Sequence, residues 1–126
     1  MKVLVVEDDA VQSLLLDKIL TSEGYNVIGI ANSGKTAIEV ANKYKPELIT
    51  MDIMLSDDID GIQAVVSIQK IYNPTILYLS GNKDSELVER ANETNYYKYL
   101  RKPFDVIELR NIFKKLKSDH TSLKST

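Results

Sequence analysis

Glu7, Asp8, Asp52, Ser80 and Lys102 each stand at or just beyond the end of a short apolar run. Taken singly they have ordinary explanations, since an acid after a strand is commonly a helix cap and a lone lysine is commonly solvated. Taken together they can do specific chemistry. The carboxylates of Glu7, Asp8 and Asp52 are hard oxygen donors that suit Mg²⁺ in an octahedral shell keeping several waters. Without a cation their mutual repulsion would destabilise the cluster. With one, a carboxylate can act as a nucleophile towards phosphorus. The oxygens of the resulting acyl phosphate can be shared among Mg²⁺, the Lys102 ammonium and the Ser80 hydroxyl, with Gly81 leaving room. Lys102 can pair with Asp52 beforehand.

Such convergence needs elements that bring distant residues together. Val3–Val6 is apolar and mostly β-branched, the pattern of a buried strand. Similar runs recur at 26–31, 47–51, 75–79 and 96–100. Between them lie helix-period segments. Val11, Leu14, Leu15, Ile19 and Leu20 are read as the inner face of the first, which Gly24 stops. Ser33 caps the second, which Lys45-Pro46 ends. The third follows Gly61 and carries Ile62, Val65, Val66 and Ile68; a more polar fourth covers 85–92. Asp105 with Glu108 starts the last as a capping box, and Leu109, Ile112, Phe113 and Leu116 form its stripe. Lys114, Lys115 and Lys117 are read as sitting at its C-terminal end, complementing the helix dipole. Five strands alternating with five helices predict an α/β fold with a doubly wound parallel sheet. Sites in such sheets lie at the C-terminal strand ends, where the polar residues stand.

Composition narrows the function. The chain has 126 residues, enough for one domain. It has no cysteine, which removes thiolate metal sites, disulfides and cysteine nucleophiles. Its single histidine, His120, argues against a two-histidine metal centre or a serine triad. Sixteen basic against 18 acidic residues, net −2, disfavour a general nucleic-acid binder. No apolar run approaches the ~20 residues of a membrane span, and acids follow the first strand too soon for a signal peptide. A cytoplasmic protein is expected.

The residues Val5-Val6-Glu7-Asp8-Asp9, 46–53 ending in Met51-Asp52-Ile53, Asp60-Gly61-Ile62, Leu79-Ser80-Gly81 and 99–104 around Lys102-Pro103 resemble the response-regulator receiver domain of two-component signalling. The likeness spans nearly the whole chain. It implies a flavodoxin-like sheet of order 2-1-3-4-5 over 1–117 and a stand-alone domain, and the polar residues 118–126 are read as a flexible tail. It implies Asp52 as phosphoacceptor, Asp8 as a direct Mg²⁺ ligand, Glu7 acting through water, and the Met54 backbone carbonyl as a further ligand. Ser80 matches the switch hydroxyl, Tyr99 the aromatic switch, Lys102 the family lysine, and Pro103 a cis proline. The implied donor is a histidine kinase or histidine phosphotransfer protein, and the receiver catalyses only its own phosphorylation and slow dephosphorylation. The implied reading surface, for an unknown downstream protein, surrounds 86–90, Tyr99 and 111–115. Monomer or weak dimer is expected, without nucleic acid or membrane.

Two departures stand out. Ser56 replaces the usual proline, and Gly61 lies nine residues after Asp52, not eight, so the loop carrying Asp57 and Asp58 is one residue longer. Met54 and Asn82 put no acid where a hydrolytic water would sit, which predicts a long-lived acyl phosphate. Among rivals, Gly29 to Thr36 formally matches a phosphate-binding P-loop, although Gly29 falls within a predicted strand. A haloacid-dehalogenase-type phosphatase needs an Asp-x-Asp that Glu7-Asp8-Asp9 lacks, and acids after the first strand would repel a flavin phosphate. An interaction module that is never phosphorylated is the remaining alternative.

Overall fold

The structure, a computed structural model, describes residues 1–55, 58–81 and 85–125, with side chains described through residue 119. Ser56, Asp57 and Asn82, on which part of the loop and water-access expectations rest, lie outside the described residues, as does the His120 side chain. In chain order the elements are β1 (Lys2–Val6), α1 (Ala10–Ser22), β2 (Asn26–Ala31), α2 (Gly34–Tyr44), β3 (Leu48–Asp52), α3 (Gly61–Gln69), β4 (Thr75–Ser80), α4 (Ser85–Asn92), β5 (Lys98–Arg101) and α5 (Val106–Ser125). The strands form one parallel sheet of order β2-β1-β3-β4-β5.

Alternation along the strands divides the core into two layers. Val3, Val5, Leu48, Leu77 and Leu79 face α1 and α5, whose Leu16, Ile19, Leu20, Leu109, Ile112, Phe113 and Leu116 cover them. Leu4, Val6, Ile49, Met51, Ile76 and Tyr78 face the other way, under Ala37, Ala41, Ile62, Ala64, Val65, Ile68 and Ala91 of α2, α3 and α4. The three inner strands are therefore buried on both faces, which is why they read as continuous apolar runs.

The helix ends follow local chemistry. Asp9 caps α1 through the amides of Val11 and Gln12, and Ser33 caps α2 through that of Thr36. Gly24 takes a positive φ of 86° after α1, and Lys45 ends α2 in the left-handed region before Pro46. The Asp105 carboxylate accepts from the amides of Ile107 and Glu108.

Two readings are corrected here. The buried face of α1 is Ser13, Leu16, Ile19 and Leu20, whereas Val11, Leu14 and Leu15 are exposed. Most of the helix is apolar, so composition alone does not set the phase of the stripe. The lysines of α5 lie within the helix, not at its end: Lys117 Nζ donates to the Glu23 carbonyl (3.1 Å), and Arg110 and Lys114 face the Glu23 carboxylate. Val66 of α3 is also exposed.

Candidate functional site

Register places the polar strand ends side by side. Val6 pairs with Met51, Asp52 with Leu79, and Ser80 with Arg101. Asp52 and Ser80, in those pairs, and Glu7 and Lys102, one step past them, share the C-terminal edge of four adjacent strands. The Glu7 amide donates to the Ala31 carbonyl (2.9 Å), and the Lys102 amide to the Ser80 carbonyl (2.8 Å), so both residues continue the ladder. Glu7, Asp52 and Ser80 are buried, while Asp8 is exposed.

The carboxylates of Glu7, Asp8 and Asp52 each present an oxygen within 4.8 Å of the others. Lys102 is the cation against them. Its ammonium donates to both Glu7 oxygens (2.9 and 3.1 Å) and lies 3.5 Å from Asp52 Oδ2. The Phe104 ring lies 5.9 Å from the same nitrogen. The other Asp52 oxygen, Oδ1, accepts from the Met54 amide (3.1 Å). Burial, with Glu7 next, pushes the Asp52 carboxyl up to about 7, against the pull of Lys102 and of the Met54 amide. Three acids facing one ammonium leave the cluster short of positive charge. The donors are all hard oxygens, and Asp8 opens the cluster to water. That set fits a divalent cation of the Mg²⁺ kind, with Glu7, Asp8 and Asp52 as the residues able to hold it.

The family model for the response regulator receiver domain matches residues 3–114. The chain belongs to the response regulator receiver family. The transcriptional regulatory protein PdtaR of Mycobacterium tuberculosis is 36% identical to this receiver over 108 residues, 86% of the chain but 52% of PdtaR, so the chain spans about half the length of that relative. The chemotaxis protein CheY of Thermotoga maritima is 35% identical over 104 residues, 82% of the chain and 86% of CheY. Among solved structures, the receiver domain of a sensor histidine kinase from Pseudomonas aeruginosa, with magnesium coordinated in its active-site cleft, superposes with a TM-score of 0.79 at 29% identity, covering 90% of this chain and 94% of that one. Receivers are switches that work with histidine kinases and downstream effectors. Among the described residues, no helix is long and apolar enough to cross a membrane.

The remaining sequence-predicted residues of the receiver take definite places. The Lys102–Pro103 bond is cis. Tyr99 is half-buried beside Tyr78, with ring centroids 6.1 Å apart, and its hydroxyl is buried with no hydrogen-bond partner among the described residues. Met54 is brought to Asp52 by its amide, and its side chain is exposed. A Cβ at Gly81 would meet nothing within 4 Å among the described residues, so no described protein atom requires the glycine there. Gly61 is needed: a Cβ would lie 2.2 Å from the Asp52 carbonyl oxygen and 2.8 Å from Ile53 Cα. The P-loop match does not survive the fold. Gly29 is a β2 residue paired with Leu4, and only Asn32 and Ser33 separate β2 from α2, too few to wrap a phosphate.

Sequence reasoning missed two relationships. It expected the Lys102–Asp52 pair, which forms at 3.5 Å, but did not foresee the shorter contacts of Lys102 to Glu7. It also assigned no partner to Asp60, which forms a full capping box with Gln63 and an ion pair with Arg90. The Asp-x-x-Gln spacing at 60–63 was the available signal for the first of these.

Proposed function

We propose that this receiver accepts a phosphoryl group on Asp52 from a phosphohistidine of a histidine kinase or phosphotransfer protein, and that the modified domain presents a changed surface to a downstream protein. An ionised Asp52 oxygen attacks phosphorus, the P–O bond forms as the P–N bond to the donor imidazole breaks, and the leaving nitrogen keeps the electron pair. A bound Mg²⁺ would neutralise charge on the carboxylates and on the transferring group. Every other contribution comes from the chain. The Met54 amide holds one Asp52 oxygen and orients the carboxylate. Lys102, already within 3.5 Å of the other, neutralises charge as the group arrives. The Ser80 hydroxyl, at the neighbouring strand end, is the donor for a remaining phosphoryl oxygen.

The observation that carries this reading is the Lys102 ammonium bridging Glu7 and Asp52 inside a cluster of three acids. A solvated loop has no use for a partly buried lysine shared between two buried carboxylates. Tyr99 supports the switch. Its phenol is held by packing against Tyr78, not by a hydrogen bond, so rotation breaks no polar contact. Met54 offers no base to an attacking water, which supports slow hydrolysis. Val11 and Leu14, exposed on α1 just past Asp9, support an apolar docking rim for a protein donor.

Intact mass after incubation with a small phosphodonor and Mg²⁺ tests the acceptor. One added phosphoryl group is expected on the wild type, none on Asp52→Asn, and none with chelator present. An adduct that survives Asp52→Asn overturns the assignment, and a chain that refuses small donors and phosphohistidine proteins alike is an interaction module.

A further inference from the structure

Helix α4 is lightly anchored. Of its eight residues only Ala91 is fully buried, with Leu87 partly buried against the core. An element with so little buried apolar area opens easily. An ion pair joins Arg90, in its last turn, to Asp60 at the start of α3, Nη2 to Oδ2, 2.8 Å.

Asp60 is itself tied to the phosphoacceptor strand. Its Oδ1 accepts the Gln63 amide and its own amide donates to Gln63 Oε1, both at 2.9 Å, which fixes the side chain. The next residue, Gly61, donates to the Ile53 carbonyl (3.0 Å) and packs on the Asp52 backbone. The chain of contacts from Asp52 through Gly61 and Asp60 to Arg90 is thus continuous, and it bypasses the β4–α4 connection after Ser80. The same ion pair stands close to the aromatic cluster. Asp60 and Arg90 act with opposite sign on the Tyr78 hydroxyl, which bonds Thr94 just beyond α4, and the Tyr78 ring packs on Tyr99.

We infer that the Asp60–Arg90 ion pair is a latch that registers α4 to the Asp52 strand in the resting receiver and biases the switch against the modified state. The regulatory half of this inference rests on Asp52 being the acceptor. Both side chains are partly exposed, so the latch shifts the equilibrium by about two- to fivefold, the range of a partly solvated pair. A bias of that size suits an element that has to move. Arg90 and Asp60 are positioning residues; neither touches the phosphoryl group.

Amide hydrogen exchange on the unphosphorylated protein, read across 85–92, tests the latch. Arg90→Gln is expected to speed exchange there about two- to fivefold while the β3 and β1 amides keep their rates. Arg90→Lys restores slow exchange. Asp60→Asn, which retains a capping side chain, reproduces the Arg90→Gln effect, and the double variant adds nothing further. Unchanged exchange in 85–92, a rise spread evenly over the chain, or additive single effects overturns the latch. The second arm is the rate of phosphoryl uptake from a small donor, expected to rise by the same factor in Arg90→Gln. An unchanged rate beside faster α4 exchange overturns the link to the site. A wild type that takes no phosphoryl group on Asp52 defeats the acceptor reading, while the exchange arm still decides the latch.

Discussion

Lys102 sits closer to Glu7 than to Asp52, 2.9 Å against 3.5 Å. Both oxygens of the Glu7 carboxylate accept from the lysine ammonium. The ammonium is therefore held beside Asp52 but shared with Glu7, and burial, with Glu7 next, keeps the Asp52 pKa raised while its cation stays at hand.

Removing the cation leaves buried carboxylates unpaired. Lys102→Ala is expected to lose about 3 kcal/mol of folding stability at pH 8 without metal, the low end for breaking a buried pair because the lysine side chain keeps some exposure. The loss shrinks at pH 5, where Asp52 binds a proton, and Mg²⁺ restores part of it. Urea unfolding at both pH values, with and without Mg²⁺, checks this. A pH-independent loss would show that Lys102 acts through packing alone.

The raised Asp52 pKa has a stability sign. Folding lifts this carboxyl from 3.8 to about 7, so between those values the folded protein keeps a proton that the unfolded chain has released. Stability therefore falls as pH rises through that window and levels off on either side. Asp52→Asn removes the titration. Its advantage over wild type is expected to grow from pH 4 to pH 7 by up to about 4 kcal/mol, at about 1.36 kcal/mol per pKa unit, in chelator. Stability curves that run parallel across the window would falsify the assignment.

Gly61 offers a test of reversed sign. Glycine to alanine in a helix is ordinarily stabilising by up to about 1 kcal/mol. Here the new methyl would stand 2.2 Å from the Asp52 carbonyl oxygen, so Gly61→Ala is expected to lose about 2–3 kcal/mol and to slow phosphoryl uptake. Thermal unfolding and the intact-mass assay report the two effects. A neutral or stabilised variant means that the α3 start can move away from Asp52.

The exposed apolar end of α1 separates docking from chemistry. Val11→Ser and Leu14→Ser are surface changes, expected to stay within about 0.5 kcal/mol in stability. They should leave uptake from a small phosphodonor unchanged and slow transfer from a phosphohistidine protein. Equal rates with both donors would place the docking surface elsewhere.

Much of the fold was legible because β1, β3 and β4 are buried on both faces and have to be apolar throughout, and because Ser33, Gly24 and Lys45-Pro46 punctuate the helices by local chemistry. The members of the site were legible too, since strand ends are where parallel sheets expose side chains. Their pairing was not. Whether Lys102 prefers Glu7 or Asp52 is a matter of 0.6 Å (3.5 Å less 2.9 Å), and no spacing in the chain encodes it. The α1 phase was lost because Val11 and Leu14 are apolar yet face outward, while the polar Ser13 faces in and satisfies its hydroxyl on the Ala10 carbonyl. Asp60 caps α3 and Arg90 stands in the last turn of α4, and only the fold reveals them as partners.

The buried Tyr99 hydroxyl carries an energetic consequence. A hydroxyl removed from water without a partner costs about 1–3 kcal/mol. That penalty belongs to the resting conformation and disappears in any arrangement that gives the phenol an acceptor or returns it to solvent. The described conformation is thereby raised towards any such competitor. The domain is in this sense pre-tensioned: one buried phenol makes the described conformation slightly uncomfortable.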